Sequence, residues 1–341
     1  MSEKSILFDF GGMSPADINR VAKELKERSF GELETDAEAM QTAGNVGAQF
    51  LQFLSFVFRK LGLLDQHGLM ANPYLPIPTD TRYGEKPTEI MRQAWNQRAT
   101  SWGVVETPAN YAITMQTLLE FLQVANKDKP ETLLSLGSGP GFYETFLAQL
   151  MQQSKLESIR IIALDYAKEM TRRHHEVLGK LYLTENEGGG QIRKLKNIEA
   201  VTGDMTNLKF ATGSVDQIIC NNSLQWVADW RKAIAEMARV INPKGLGWLY
   251  LFVHTHPMVV YDMRGELMFR LGEFEIPELL DALEANKFSP YHMRQIAGSP
   301  GTGQAGMQTS RVFIKARFTP TGVMTSWRKA QISSRLSGIR M

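Results

Sequence analysis

From residue 132 onward the chain alternates short apolar runs with stretches of helical period. TLLSLG precedes FYETFLAQLMQQ, and SIRIIALD precedes AKEMTRRHHEVLGKLY. AVTGD leads to VDQIICNN, then DWRKAIAEMARVI, then LGWLYLFVH. Apolar runs of this length bounded by turn residues read as buried strands, and the i, i+3, i+4 spacing between them reads as amphipathic helix. Strand–helix alternation predicts an α/β fold with a parallel sheet covered by helices on both faces. RVFIKARF, residues 311–318, alternates apolar with polar or basic positions, as a late edge strand would.

The chain changes character near residue 80. Before it the pattern gives helices and no convincing strand. Ser14 followed by Pro15 reads as an N-cap with proline in the first turn. INRVAKELKER then places Ile18, Val21 and Leu25 on one side. A second helix is expected over residues 46–64, with Phe50, Phe53, Leu54, Val57 and Leu61 on one face. NPYLPIPTD, residues 72–80, holds three prolines and reads as a linker. Helical signals return in PTEIMRQAWNQRATSW and NYAITMQTLLEFLQVAN. Residues 185–197 carry three consecutive glycines and several charges, as a surface insertion would. The expected organisation is a helical extension over residues 1–80, an α/β domain over 81–320 and a basic tail over 321–341. The extension serves either as a lid or as a surface pairing two chains; packing on its own domain is the simpler account of the Phe-rich helix.

Composition narrows the field. With 341 residues and 43% hydrophobic content the chain can build an ordinary core. A net charge of +2 gives no strong field for nucleic acid or anionic membrane. A single cysteine, Cys220, rules out an internal disulfide and a multi-cysteine metal site. The most apolar segment, FLQFLSFVF, is far shorter than the ~20 residues of a membrane span. A soluble, cytoplasmic protein is expected, with no nucleic-acid or membrane partner.

The stretch LLSLGSGPGFYE, residues 133–144, sets a strand, a glycine turn and a helix start in that order. Glycine there gives unusual backbone angles and lets a ligand approach closely. The dinucleotide pattern G-x-G-x-x-G fails at Phe142, and no Gly-Lys-Ser/Thr follows for a phosphate loop. The spacing present is G-x-G-x-G. LLSLGSGPG resembles motif I of the class I S-adenosylmethionine-dependent methyltransferases. Further matches follow in order. Asp165 ends the next strand, VTGDM brings Asp204 and Met205, and VDQIICNNSLQWVADW resembles motif IV and its sequel in small-molecule members. ARVINPKGLGWLYLF resembles the family's helix, turn and fifth strand.

This resemblance, over roughly residues 95–318, implies a Rossmann-like, doubly wound, mostly parallel seven-stranded sheet with an N-terminal helical extension. It implies S-adenosyl-L-methionine as cofactor, held by Gly137, Ser138, Gly139, Gly141, Asp165, Tyr166, Asp204, Met205 and Asn221. The acid at Asp165 would take two ribose hydroxyls, and the acid at Asp204 the adenine amino group. Ser135 stands where the family often has an acid facing the cofactor's amino-acid end. Helices before motif I commonly form a lid, here presenting Tyr83, Trp95 and Trp102.

The acceptor is expected at the ends of the fourth and fifth strands, near Trp95, Asn222, Gln225 and Trp226, with Trp230, His254 and His256 also in that region. His254 is the candidate general base, since imidazole titrates near neutrality. The His-Thr-His pair offers two metal ligands at most, and no metal is expected. His174 and His175 lie in a charged helical stretch and read as solvated. Cys220 reads as a core cysteine. The leading expectation is a methyltransferase acting on a small molecule, such as a secondary metabolite, at N, O or C. The runner-up is a carboxyl O-methyltransferase of a small acid, with Arg82, Arg92, Arg98 or Arg264 available as a clamp. A non-catalytic subunit of the same fold and a macromolecule methyltransferase are the remaining alternatives.

Overall fold

The computed structural model describes residues 4–9, 37–63, 77–79, 87–99, 108–122, 130–154, 156, 158–187, 195–254, 258–262, 267–271, 275–296 and 311–320. In chain order the elements are β1 (Lys4–Asp9), α1 (Ala37–Lys60), β2 (Ile77–Thr79), α2 (Pro87–Arg98), α3 (Pro108–Phe121), β3 (Glu131–Leu136) and α4 (Phe142–Gln153). Then follow β4 (Ile159–Asp165), α5 (Lys168–Glu187), β5 (Ile198–Thr202), β6 (Gln217–Asn221), α6 (Trp230–Val240) and β7 (Trp248–His254). The last are β8 (Met258–Asp262), β9 (Leu267–Leu271), α7 (Ile276–Ala285), β10 (Phe288–Ile296) and β11 (Arg311–Phe318).

Seven strands form the main sheet in the order β10-β11-β7-β6-β3-β4-β5. The five strands from β7 to β5 pair in parallel, and β11 and β10 add antiparallel. The order reverses at β3: β4 and β5 extend to one side, β6 and β7 to the other. Such a switch point opens a crevice beyond the carboxyl ends of β3 and β6.

The two faces of the sheet bury different side chains, as the alternation of Cβ directions requires. Leu133, Ile161, Ile219, Tyr250 and Phe313 pack on one face with α1, α3 and α4. Their neighbours Leu134, Ile162, Ile218, Leu249 and Ile314 pack on the other with α6 and α7. Continuous apolar runs in the sequence reflect this double burial.

α1 belongs to the first of these layers. Phe50, Leu54, Val57 and Phe58 are buried, and the rings of Phe50 and Phe53 pack tilted against Phe146 of α4, with centroids 5.0 and 5.4 Å away. Each fully buried phenylalanine contributes roughly 1.5–3 kcal/mol. This face of α1 is therefore covered by the chain itself, while Phe56 is 36% exposed.

Three expectations are corrected. Residues before 80 do contain strands: β1 pairs with β2 and β8, and β9 completes a four-stranded antiparallel sheet. Pro78 hid β2, which is only three residues long and lies at the edge of that sheet. β11 is not an edge strand, because β10 covers it. Two of its basic positions are buried instead, while Arg317 is exposed: Arg311 donates to Thr114 Oγ1 at 3.1 Å, and Lys315 donates to the Phe121 carbonyl at 2.9 Å while lying over the Trp248 ring. Finally, α5 runs through Glu187, so helix takes up the start of the glycine-rich segment.

The helix expected around Ile18 and the basic tail lie outside the described residues, as do Tyr83, Trp102 and His256. Among the described residues no helix is long and apolar enough to cross a membrane.

Candidate active site

A cavity of about 230 Å³ opens at the switch point. Its floor is the turn between β3 and α4, where Gly137, Ser138, Gly139 and Pro140 line it. Two of the glycines are bare for reasons internal to the protein. A Cβ on Gly137 would fall 2.3 Å from Ser223 Oγ, and one on Gly141 would fall 2.1 Å from the His174 ring. Both also have positive φ, 68° and 71°, which L side chains resist. Ser223 closes this contact with its one hydroxyl proton shared between the carbonyls of Asn221 and Gly137, at 2.7 and 3.0 Å. Gly141 thus seats α4 against α5 and is not a cavity residue.

Asp165 ends β4 on the cavity wall. Its carboxylate accepts from Gly139 N–H and Ala167 N–H, both at 2.8 Å. Burial pushes this carboxyl up to about 6, against the pull of those two N–H groups. Tyr166 follows it on the wall, its phenol raised by burial and then by the charge of Asp204. Asp204 lies just beyond β5, and its Oδ1 accepts from the Thr206 N–H and hydroxyl at 2.7 and 2.8 Å. Met205 completes this side.

Asn221 ends β6, Asn222 follows it, and both line the cavity. Asn221 Oδ1 is buried without a partner. Asn222 has a φ of 50°, a left-handed conformation that asparagine tolerates, and its N–H donates to Phe252 O at 2.9 Å. Across the opening, Trp95 of α2 meets Trp226 edge to face, with ring centroids 5.0 Å apart. Asn96 fixes α2 by accepting from Glu169 N–H, at the start of α5, at 2.9 Å. Met91 and Arg92 of α2 also line the cavity, and Arg92 pairs with Glu89.

The structure does not bring every expected residue here. Gln225 is 1% exposed, with both amide atoms unpartnered, and is not part of the lining. It turns inward from the short 3-10 helix Leu224–Trp226, whose tryptophan faces the cavity instead. His254 sits at the end of β7, paired across to Arg311. Among the described residues no histidine lines the cavity. Among them, too, no group of three or more His, Cys, Asp or Glu is placed to hold a metal.

Sequence reasoning missed two buried groups. His174 is fully buried, not solvated; its Nε2 lies 3.1 Å from Thr145 Oγ1, and burial depresses its pKa to about 3. Glu144, in the first turn of α4, is 3% exposed and lines the cavity. Burial pushes its carboxyl up to about 7. Cys220 is fully buried and its thiol is pushed up to about 12, which leaves no thiolate for nucleophilic chemistry.

Residues 134–249 match the methyltransferase-domain family. This stretch of the chain is similar to a methyltransferase domain. It is 25% identical over 199 residues to an uncharacterized chloroplastic methyltransferase of Arabidopsis thaliana, covering 57% of this chain and 50% of that one. It is 26% identical over 127 residues to a malonyl-[acyl-carrier protein] O-methyltransferase of Legionella pneumophila, covering 37% of each chain. The matches thus span half or less of these relatives. A solved methyltransferase from Methanosarcina mazei aligns with 60% of this chain and 97% of its own, at 19% identity and a TM-score of 0.45. The methyltransferase match covers the glycine turn, Asp165, Asp204 and the asparagines, and leaves α1 and α2 outside it.

Proposed function

We propose that this protein transfers the methyl group of S-adenosylmethionine to a small-molecule acceptor. The observation that carries the reading is one cavity. It combines the glycine turn, two carboxylates at successive strand ends and a pair of tryptophans over the opening. Asp165 suits a ribose diol: each carboxylate oxygen keeps a lone pair after accepting one backbone N–H. Asp204 Oδ2 suits an exocyclic amine, with Met205 against the base. Asn221 Oδ1, unpartnered beside the turn, offers a further acceptor. When bound, the cofactor supplies an electrophilic methyl activated by the sulfonium charge. The protein's own part is orientation and exclusion of water. α2 supports this by holding Trp95 against Trp226, where the pair confines an acceptor next to Asn222. Alignment of this kind is worth roughly 7 kcal/mol or more. A cytoplasmic setting fits the single buried thiol.

A second reading is supported by Arg92. Its position in the lining, one turn of α2 from Trp95, suits an acceptor carboxylate, and esterification of a small acid would follow. The named activity of the Legionella relative is also an O-methylation. The test is release of S-adenosylhomocysteine in the presence of a panel of small carboxylic acids, phenols and amines. Turnover with a neutral acceptor supports the general reading, turnover confined to acids supports the second, and silence across a broad panel counts against both.

A further inference from the structure

Position 135 lies near the end of β3, where the methyltransferases that this chain resembles often have an acid. The side chain there is a serine, 1% exposed and absent from the cavity lining. Its hydroxyl donates to Glu144 Oε1 at 2.6 Å, and Glu144 reaches the lining from the first turn of α4. The chain has not lost an acid at this end of the cavity. It supplies one from the helix, and the small residue on the strand leaves room for it.

Glu144 is a costly residue in this place. It is 97% withdrawn from solvent by the count of its 3% exposure. Oε2 is buried with no partner, and no cation among the described residues pairs with this carboxyl. Asp165, on the neighbouring strand, adds repulsion of the same sign. A buried carboxyl without a counter-charge costs free energy unless something compensates it. α4 begins with an apolar sequence, FYETFL, in which the flanking Phe142, Thr145, Phe146 and Leu147 are also buried. A nonpolar residue would serve the core at position 144 at least as well. The arrangement makes sense for a ligand that brings a positive charge to that wall.

We infer that Glu144 receives the α-ammonium group of the bound S-adenosylmethionine, with Ser135 holding its other oxygen in place. The assignment rests on the cofactor reading above and deepens it. The ammonium fits better than the sulfonium as the partner, because it brings N–H donors that the buried Oε2 can accept from. Glu144 is then a binding residue, and Ser135 a positioning residue that acts through it.

The test compares three ligands by isothermal titration on wild type and Glu144→Gln. S-adenosylmethionine carries both charges, S-adenosylhomocysteine only the ammonium, and 5′-methylthioadenosine neither. The expected result is a ~10–100-fold loss for both S-adenosylmethionine and S-adenosylhomocysteine, the worth of a hydrogen bond to a charged group, with methylthioadenosine unchanged. Unchanged methylthioadenosine affinity also shows that the variant is folded. Ser135→Ala is the second variant, expected to show the same pattern at ~3–10-fold. A loss confined to S-adenosylmethionine would assign Glu144 to the sulfonium and overturn the inference. Equal affinities of wild type and both variants for all three ligands would make the carboxyl purely structural. If wild type binds none of the three, the cofactor reading itself fails, and that outcome differs from either of the others.

Discussion

Gly139 N–H donates to Asp165 Oδ2 at 2.8 Å, tying the glycine turn after β3 to the end of β4. The second oxygen takes Ala167 N–H and so fixes the chain into α5. One carboxylate therefore shapes the loop and presents lone pairs to the cavity. Replacing it removes both functions. Asp165→Ala leaves two backbone donors without their acceptor, and we expect a loss of about 1–3 kcal/mol in urea unfolding of the ligand-free protein. Asp165→Asn keeps part of this bonding and should lose less.

Glu144 gives a stability signature of its own. Its folded pKa is raised from 4.5 to about 7 by burial. Stability from the protonated carboxyl is then complete below pH 4.5 and is lost as pH rises through about 7. Asp165 faces it from β4 with a shift of the same sign, while His174 of α5, beside Thr145 of α4, is depressed and acts in the opposite sense at lower pH. Comparing Glu144→Gln with wild type isolates the one group. The glutamine variant should be more stable than ligand-free wild type at pH 8, by on the order of 3 kcal/mol at most, with the advantage gone at pH 4.5. Thermal melts across that range provide the check. A constant difference at all pH values would contradict it.

Gly141 and His174 form a packed pair. A methyl at Gly141 would enter the imidazole and would also have to accept a φ of 71°. We expect Gly141→Ala to cost about 2 kcal/mol or more, of which the backbone share is roughly 1–2 kcal/mol. In the His174→Ala background the same substitution should cost less, because the obstructing ring is gone. A double-mutant cycle on chemical unfolding measures the coupling; additivity would mean that the contact does not set the glycine.

Much of this site can be read from the order of residues, for a simple reason. Gly137, Asp165 and Asn221 sit at the carboxyl ends of β3, β4 and β6, and each ends an apolar run that marks a strand in any parallel sheet. What stays hidden depends on tertiary packing. Glu144 looks like an ordinary acid in a helix's first turn, where it would normally face water. Only the approach of β3 and the crowding around α4 enclose it. His174 looks solvated in a charged stretch, yet the missing Cβ of Gly141 makes room for its ring. β11 was expected at an edge because basic residues alternate along it. β10 covers it, and the carbonyl of Phe121 and the Trp248 ring take up Lys315.

Trp226 lines the cavity opposite Trp95, and the proposed function puts it on the acceptor side. Trp226→Ala removes the edge-to-face partner of Trp95, a contact worth about 0.5–1.5 kcal/mol beyond its area, and widens the opening. We expect the KM for an acceptor to rise ~10-fold with S-adenosylhomocysteine affinity held within ~3-fold. An equal loss in both would put Trp226 on the cofactor instead.

The proposed function requires the cavity beyond β3 and β6 to hold S-adenosylmethionine through Asp165. Isothermal titration of S-adenosylhomocysteine into wild type and Asp165→Asn, with NADH as control, checks this. We expect micromolar binding to wild type, no heat from NADH, and affinity at least ~10-fold weaker in the variant. No binding to wild type, or equal binding by both proteins, would contradict it.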